Sequence, residues 1–349
     1  MPRADRTDIV QPDGRHVYLY GEFDPAPDGY QAPAMPNGVY QRRWNPLRRE
    51  WVLVAASRQT RTFLPERADC PLCPSRPGHS SEIPATRFAA AVFENRFPAM
   101  VPWPPAGGSC EVVVYTDEHE GSFATLSAAS LDRLTEVWTD RYRDLIARRG
   151  IKYVYIFENR GEQVGVTLHH PHGQIYAYPF IPPIPARELD NQRMYLEVHG
   201  QGLLEALVAT ELAADRRVLY AGDHVAAFVP AFARYPYEVW IATRRALPSV
   251  AQLDAAMRAE FARALKTVLL TYDALWDRPF PYIMVFHQAP TDGERHPEAH
   301  LHVEFYPAYR MRDRLKYLAG SEIGAGVFTA DTDPDDKAAE LKAVRIADF

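Results

Sequence analysis

Cysteine is scarce: the 349-residue chain has three. So small and odd a number excludes a disulfide scaffold and points to a reducing compartment. Long apolar runs are missing too, with no stretch of about 18 residues able to span a bilayer. The opening "MPRADRTDIVQPDG" lacks the apolar core of a secretory signal. A cytoplasmic protein with no membrane partner is therefore expected. There is no basic excess either. Lys plus Arg total 39 against 45 Asp plus Glu, a net charge of −6, which argues against nucleic acid as a partner. A few local arginines could still hold a small anion. The rest is ordinary globular composition, 47% hydrophobic and 24% charged, with 30 prolines that suggest many loops and short strands.

The chain is long for one hydrophobic core and comfortable for two similar units. Residues 1–38 are polar, with scattered Pro and Gly, and predict an extended, partly flexible arm. From Tyr40, "YQRRWNPLRREWVLVAASR" predicts a hairpin around Asn45-Pro46. Ser127–Gly150 predicts an amphipathic helix, with Leu131, Leu134, Trp138, Tyr142 and Ile146 on one face and Gly150 as a stop. The stretches "IKYVYIFENRG" and "GVTLHHPHGQIYAYPF" predict two strands. The second half repeats this plan. "YEVWIATRR" lies over "CEVVVYTDE", "PYIMVFHQAP" over "KYVYIFENRG", and "AHLHVEFYP" over "HHPHGQIYA". His302 follows His172 at 130 residues, the scale of a duplicated domain rather than a solenoid unit. An α+β fold is expected, a duplicated antiparallel sheet with helices on one side, divided as 39–192 and 193–349.

Two sets of side chains carry candidate chemistry. "CPLC" sets Cys70 and Cys73 at the spacing of a zinc knuckle. Two thiolates supply half a tetrahedron, and His119 and His170 are candidates for the rest. A pair of buried thiols, or a redox pair, is the alternative. In "HPHGQ", His170 and His172 share one strand face, because residues i and i+2 point the same way. They could bind one metal together, or one could bind while the other does chemistry. In the second copy His300 and His302 share a face, with His287 on the neighbouring strand. Three histidines and a carboxylate, for which Glu188 is a candidate, would make a closed site for zinc or iron.

"RRWNPL", "CPLCP", "FENRFPAM", "FENRG", "HPHGQ", "PYIMVFHQAP", "HLHVEFYP" and "LKYLAGSE" occur in this order between Tyr40 and Val344. In these motifs the chain resembles the galactose-1-phosphate uridylyltransferase family, of the histidine-triad superfamily. The resemblance implies a duplicated histidine-triad-like fold, with zinc and nucleophile in the first copy. His172 would attack phosphorus and carry the nucleotidyl group. Cys70, Cys73, His119 and His170 would hold zinc. Glu188, His287, His300 and His302 would hold a second metal, iron or zinc, not needed for the chemistry. His169 has no implied role and is expected on the opposite strand face from His170.

The same resemblance implies UDP-glucose as donor and galactose 1-phosphate as acceptor, in two half-reactions at one site. Gln174 would donate to a non-bridging phosphoryl oxygen without titrating. Arg58 and Arg61 would approach the phosphates, as guanidinium geometry allows, and Asn159 and Thr167 would contact them. Leu72, Phe93, Asn95, Phe97 and Val112 would form the uridine pocket, although the apolar members read equally well as core. Lys316, Tyr317, Ala319 and Glu322 would reach the hexose from a partner subunit, which implies a homodimer.

Several positions depart from the family pattern. Ser321 stands where tyrosine is common, Ala319 where valine is, and Val166 where a cysteine is. Val327 or Phe328 lies where a glutamine usually helps hold the hexose. These changes bear on sugar specificity and leave the nucleophile and metal ligands intact. A nucleotide-sugar phosphorylase of the same fold, taking ADP-glucose and phosphate, is the nearest rival. Gln174 argues against a hydrolase, and the intact His172, Gln174 and Arg58 argue against a non-catalytic zinc-stabilised nucleotide-binding protein.

Overall fold

The computed structural model describes residues 5–347 and 349. The chain divides into two compact units. One comprises residues 1–156, 167–186 and 290–295, and the other 157–166, 187–289 and 296–349. Each unit is built from three segments of the chain.

In the first unit, β1 (Arg6–Val10) pairs with β2 (His16–Pro25), and β2 pairs in turn with a later strand. Two parts of the stretch expected as an arm, Arg6–Val10 and His16–Pro25, are therefore strands of the sheet. Val17, Leu19 and Tyr20 are fully buried, and the alternation in "HVYLYGEF" carries them into the sheet. Residues 1–4 of that stretch lie outside the described residues. β3 (Tyr40–Asn45) and β4 (Glu50–Ala55) form the predicted hairpin, with Trp44 opposite Trp51. The Asn45 side chain accepts from the Leu47 and Arg48 amides and shapes the turn. β5 (Ala85–Glu94) and β6 (Ser109–Val114) extend the sheet from β2.

The helix α1 (Ala128–Ile146) is capped by Ser127, whose side chain accepts from the Ser130 amide. Leu131, Leu134, Trp138 and Tyr142 are buried as expected, but Ile146 is 37% exposed and Leu145 takes its place. Arg141 is also fully buried on this helix and makes two hydrogen bonds to Glu111 of β6. β7 (Tyr153–Arg160) begins in the first unit and ends in the second. β8 (His172–Tyr178) pairs with β6. It starts later than the sequence suggests, because Val166–Pro171 has no strand pairing of its own.

In the second unit, α2 (Pro183–His199) and α3 (Leu203–Ala214) precede β9 (Val218–Ala221), β10 (Val225–Phe228) and β11 (Val239–Thr243). Next come the predicted long helix α4 (Ala255–Leu275) and the strands β12 (Tyr282–His287) and β13 (His302–Pro307). The end of β7 pairs with β12, and the order continues β12-β13-β11-β10-β9, all antiparallel. α4 covers one face: its Phe261 meets Phe286, and its Tyr272 meets Phe305. α3 packs Leu204 and Val208 on Ala226, Phe228 and Ala242. Ala242 is opposite His302 and alternates with Phe305 across the sheet, so α3 lies on the other face. Helices thus flank both faces here, not one. The short strands β14 (Tyr309–Met311) and β15 (Arg314–Leu315) and the helix α5 (Pro334–Lys342) complete the chain.

Candidate functional site

The pleat puts His172, Gln174 and Tyr176 on one face of β8. Registers extend that face across the sheet. His172 is opposite Val114, which is opposite Ala91, which is opposite Leu19. Gln174 is opposite Val112, then Phe93, then Val17. Glu111 points the other way and is held by Arg141 of α1. The nucleophile candidate therefore stands on a stiff apolar floor, with a helix clamped behind it. Leu72 and Cys70 pack onto the same floor. Leu72, Phe93 and Val112 are 1%, 3% and 7% exposed, and so belong to the core. Asn95 and Phe97 follow β5, where the Asn95 amide bonds the Cys110 carbonyl and its side chain accepts from the Phe97 amide.

His172 has one tautomer fixed by the backbone. Its Nδ1–H donates to the His170 carbonyl at 2.7 Å, which leaves Nε2 without a proton. Burial lowers its pKa, opposed by that hydrogen bond. His170 is fully buried, and its Nε2–H donates to the Thr116 carbonyl at 2.8 Å. Its Nδ1 is thereby turned toward Cys73 Sγ, 3.5 Å away, and His119 Nδ1 is 3.2 Å from the same sulfur. Burial lowers the pKa of His170 to about 4, so the ring is neutral and ready to bind a cation. His169 is exposed and precedes the strand, so it has no strand face at all.

Cys70, Cys73, His119 and His170 offer one ligand atom each, all within 4.8 Å of one another. A tetrahedron with Zn–S of about 2.3 Å and Zn–N of about 2.0–2.1 Å has S···N edges of about 3.5 Å. The S₂N₂ set and its spacing suit that ion.

A second group of candidate ligands lies in the other unit. Glu188, His287, His302 and Glu304 gather within 4.8 Å, and His300 is not among them. The His300 Nε2–H donates to the Thr243 carbonyl at 2.7 Å, as His170 does to Thr116, and its buried Nδ1 is left without a hydrogen-bond partner. Glu304 lies two residues beyond His302 on β13 and so shares its face. Its Oε2 accepts from Arg234 at 2.9 Å and from the Tyr306 hydroxyl, while its buried Oε1 has no hydrogen-bond partner and lies 3.4 Å from His302 Nε2. The His302 Nδ1–H donates to the His300 carbonyl at 2.8 Å, which frees Nε2. His287 Nδ1 is 2.6 Å from Glu188. Burial opposes charge on His287, but Glu188 and Glu304 outweigh it and raise its pKa. Two imidazoles and two carboxylates fit a divalent cation. The overlay of "HLHVE" on "HPHGQ" puts Glu304 at the place of Gln174.

Arg58 sits in the 3-10 turn Ala56–Thr60 after β4, and its guanidinium donates to the Phe97 carbonyl at 2.7 Å. Arg61 is exposed on the next turn. The Thr167 carbonyl accepts from the Leu64 amide at 2.8 Å, tying this segment to the approach to His170. Asn159 is in the second unit, opposite Ile283. The segment 316–331, also in that unit, is stapled by its own groups. Lys316 binds the Thr329 carbonyl and Asp331, and Glu322 accepts from the Ala319 and Thr329 amides. Glu322, expected to meet sugar hydroxyls, here braces its own loop. Tyr317, Ile323 and Val327 are 78%, 64% and 60% exposed. No described helix is long and apolar enough to cross a membrane.

Comparison with known proteins adds the following. Residues 100–182 match the family model described as galactose-1-phosphate uridyl transferase, N-terminal domain, and residues 188–344 match its C-terminal domain. The galactose-1-phosphate uridylyltransferase of Thermotoga maritima is 38% identical over 323 residues, covering 88% of this chain and 99% of that protein. That of Streptomyces lividans is 39% identical over 301 residues, covering 82% of each. A solved uridylyltransferase superposes with a TM-score of 0.77 at 32% identity, over 87% of this chain and 98% of the other. An ADP-glucose phosphorylase from Arabidopsis thaliana shares the fold, with a TM-score of 0.69 at 23% identity, over 88% of this chain and 100% of the other.

Proposed function

This chain belongs to the galactose-1-phosphate uridylyltransferase family, and on that premise we propose that it moves UMP from UDP-glucose to galactose 1-phosphate through His172. The observation that carries this reading is the 2.7 Å tie from His172 Nδ1–H to the His170 carbonyl. It leaves Nε2 as a lone-pair nucleophile in a fixed direction. Nε2 attacks the α-phosphorus, the bond to the β-phosphate oxygen breaks, and glucose 1-phosphate departs. A phosphate oxygen of galactose 1-phosphate then attacks the same phosphorus, the P–N bond breaks, and UDP-galactose leaves. The ring carries positive charge while phosphorylated, and the His170 carbonyl, facing Nδ1–H, stabilises it. A sugar phosphate is already a stable anion, so no acid need stand where Gln174 is. The Gln174 amide donates to a non-bridging oxygen, and Arg58, Arg61, Asn159 and Thr167 are assigned to the phosphates.

Zinc on Cys70, Cys73, His119 and His170 would be structural, with no open position for water. These residues aim His172 by fixing the segment immediately before its strand. Glu188, His287, His302 and Glu304 are read as the second metal site, for iron or zinc. Lys316, Tyr317, Ala319 and Glu322 are read as a sugar-facing loop supplied to a second copy in a homodimer, a reading supported by their exposed apolar neighbours. Its test is the oligomeric state in solution.

The reaction is tested by intact-protein mass after mixing with UDP-glucose alone. A UMP adduct that clears on addition of galactose 1-phosphate is expected, and His172→Ala should abolish it. An AMP adduct from ADP-glucose, cleared by inorganic phosphate, would overturn the donor and acceptor. No adduct from either donor in zinc-loaded protein would overturn the covalent mechanism.

A further inference from the structure

The loop 316–331 is closed on itself. Lys316 Nζ donates to the Thr329 carbonyl, and Glu322 accepts from the Ala319 and Thr329 amides. The Ser321 hydroxyl donates to the Val327 carbonyl at 2.8 Å, and the Val327 amide returns to the Ser321 carbonyl at 3.1 Å. Such staples fix the shape of a loop and leave its position to other contacts. At the start of the loop, the Lys316 amide donates to the Ala308 carbonyl at 2.8 Å. Near its far end, Phe328 is half-buried between the exposed Val327 and Thr329. Its ring lies 5.9 Å from that of Tyr235, and the Arg234 guanidinium sits over it at 5.4 Å.

What Phe328 rests on is itself rigid. Glu238, fully buried, accepts from the Arg234 and Tyr235 amides at 2.7 and 3.1 Å with one carboxylate oxygen. The Arg234 guanidinium donates to Glu304 Oε2 at 2.9 Å and also lies over Tyr306 at 4.9 Å. The Tyr235 and Tyr306 rings meet at 5.3 Å. The other oxygen of Glu304 faces His302. A single buried carboxylate thus serves the candidate cation cluster with one oxygen and the seat of the loop with the other. A guanidinium fixed at its edge keeps its flat face for an aromatic ring.

We infer that Phe328 is a positioning residue: seated on Arg234 and Tyr235, it ties the loop 316–331 to the strand that carries His302 and Glu304, and so holds Lys316, Tyr317, Ala319 and Glu322 in place for the sugar phosphate. This rests on the reading of those four residues as sugar-facing. The test uses the full-length, metal-loaded enzyme and three readouts: hydrogen exchange of the loop amides, KM against kcat for galactose 1-phosphate, and Tm. Phe328→Ala should speed exchange at Val327 and Thr329 about tenfold, the worth of one ring–ring and one cation–ring contact. KM should rise about twofold to fivefold as the seated population falls, and kcat should fall by less, because bound sugar draws the loop back. Tm should be unchanged, and Phe328→Tyr, which keeps the ring, should restore slow exchange. In an Arg234→Lys background, which keeps a charge beside Glu304, Phe328→Ala should speed exchange only about threefold. Equal acceleration in both backgrounds would overturn Arg234 as the seat. Tyr317→Ala, away from the seat, tests the underlying reading alone and should also raise KM. A KM unmoved by Tyr317→Ala would overturn the sugar-facing reading. Exchange unmoved by Phe328→Ala would overturn the seat and leave that reading standing, and a raised KM with unmoved exchange would make Phe328 a direct sugar contact instead.

Discussion

The side chains behind the site offer the sharpest energetic test. Arg141 and Glu111 are both 0% exposed and are joined by two hydrogen bonds of 2.9 and 2.8 Å. The guanidinium also stacks on Tyr18 at 3.8 Å and binds Asp144 at 2.8 Å. Removing one partner of a buried ion pair costs about 3–5 kcal/mol, because the other charge is left stranded. In Arg141→Met, Glu111 would still have Arg148 at 3.5 Å, itself 30% exposed. That weak substitute puts the expectation at the low end, about 3 kcal/mol. For a unit of this size, about 2–4 °C is lost per kcal/mol, so Tm should fall by about 6–12 °C. Adding Glu111→Leu removes the stranded charge and should restore most of the loss. Differential scanning calorimetry of the wild type, both single variants and the double variant checks this. A loss below about 1 kcal/mol in Arg141→Met, or a double variant weaker than either single one, would refute the argument.

Other outcomes follow from the same geometry. Metal analysis of purified protein should show one metal fewer per chain in Glu304→Ala; an unchanged count would remove Glu304 from the ligand set. Chelation should expose Cys70 and Cys73 to a thiol reagent, while Cys110, buried and pushed up to about 12, stays unreactive until unfolding. Burial opposes charge on Asp144, but hydrogen bonds and attraction from Arg6 and Arg141 hold its carboxyl below the ordinary range. Its stabilising contribution is therefore present above about pH 4, near the unfolded value, and is lost as pH falls through the depressed folded value. Asp144→Asn should flatten that part of the acid Tm profile, and an unchanged profile would refute the assignment.

Local patterns made the long helices, the β3–β4 hairpin and the duplication legible, because each rests on periodicity within a few turns or on a repeated word. The grouping of Cys70, Cys73, His119 and His170, which could hold a metal ion, was anticipated from the CPLC spacing and family resemblance, although its four members come from three separate stretches. Three features escaped. The strands Arg6–Val10 and His16–Pro25, within the stretch 1–38 read as an arm, escaped because polar and aromatic residues alternate there without a long apolar run; their pairing with each other and with β5 is non-local. α2 and α3 carry mixed faces with no clean stripe. Glu304 escaped because a carboxylate in a strand has no ligand signature of its own, and only the pleat sets it on the face of His302.

The tie between an imidazole Nδ1–H and the carbonyl two residues before it occurs twice, at His172 and at His302. In both places it fixes which nitrogen is bare, and the residue two positions further on decides what that nitrogen meets. An amide there, as at Gln174, leaves the lone pair to an electrophile. A carboxylate, as at Glu304, surrounds it with negative charge and turns it toward a cation. The backbone thus works as a socket with one interchangeable part. On the proposed reading, the same strand frame would serve a nucleophile in one unit and a cation site in the other, and the swap of an amide for a carboxylate at one position, Gln174 against Glu304, would decide between them.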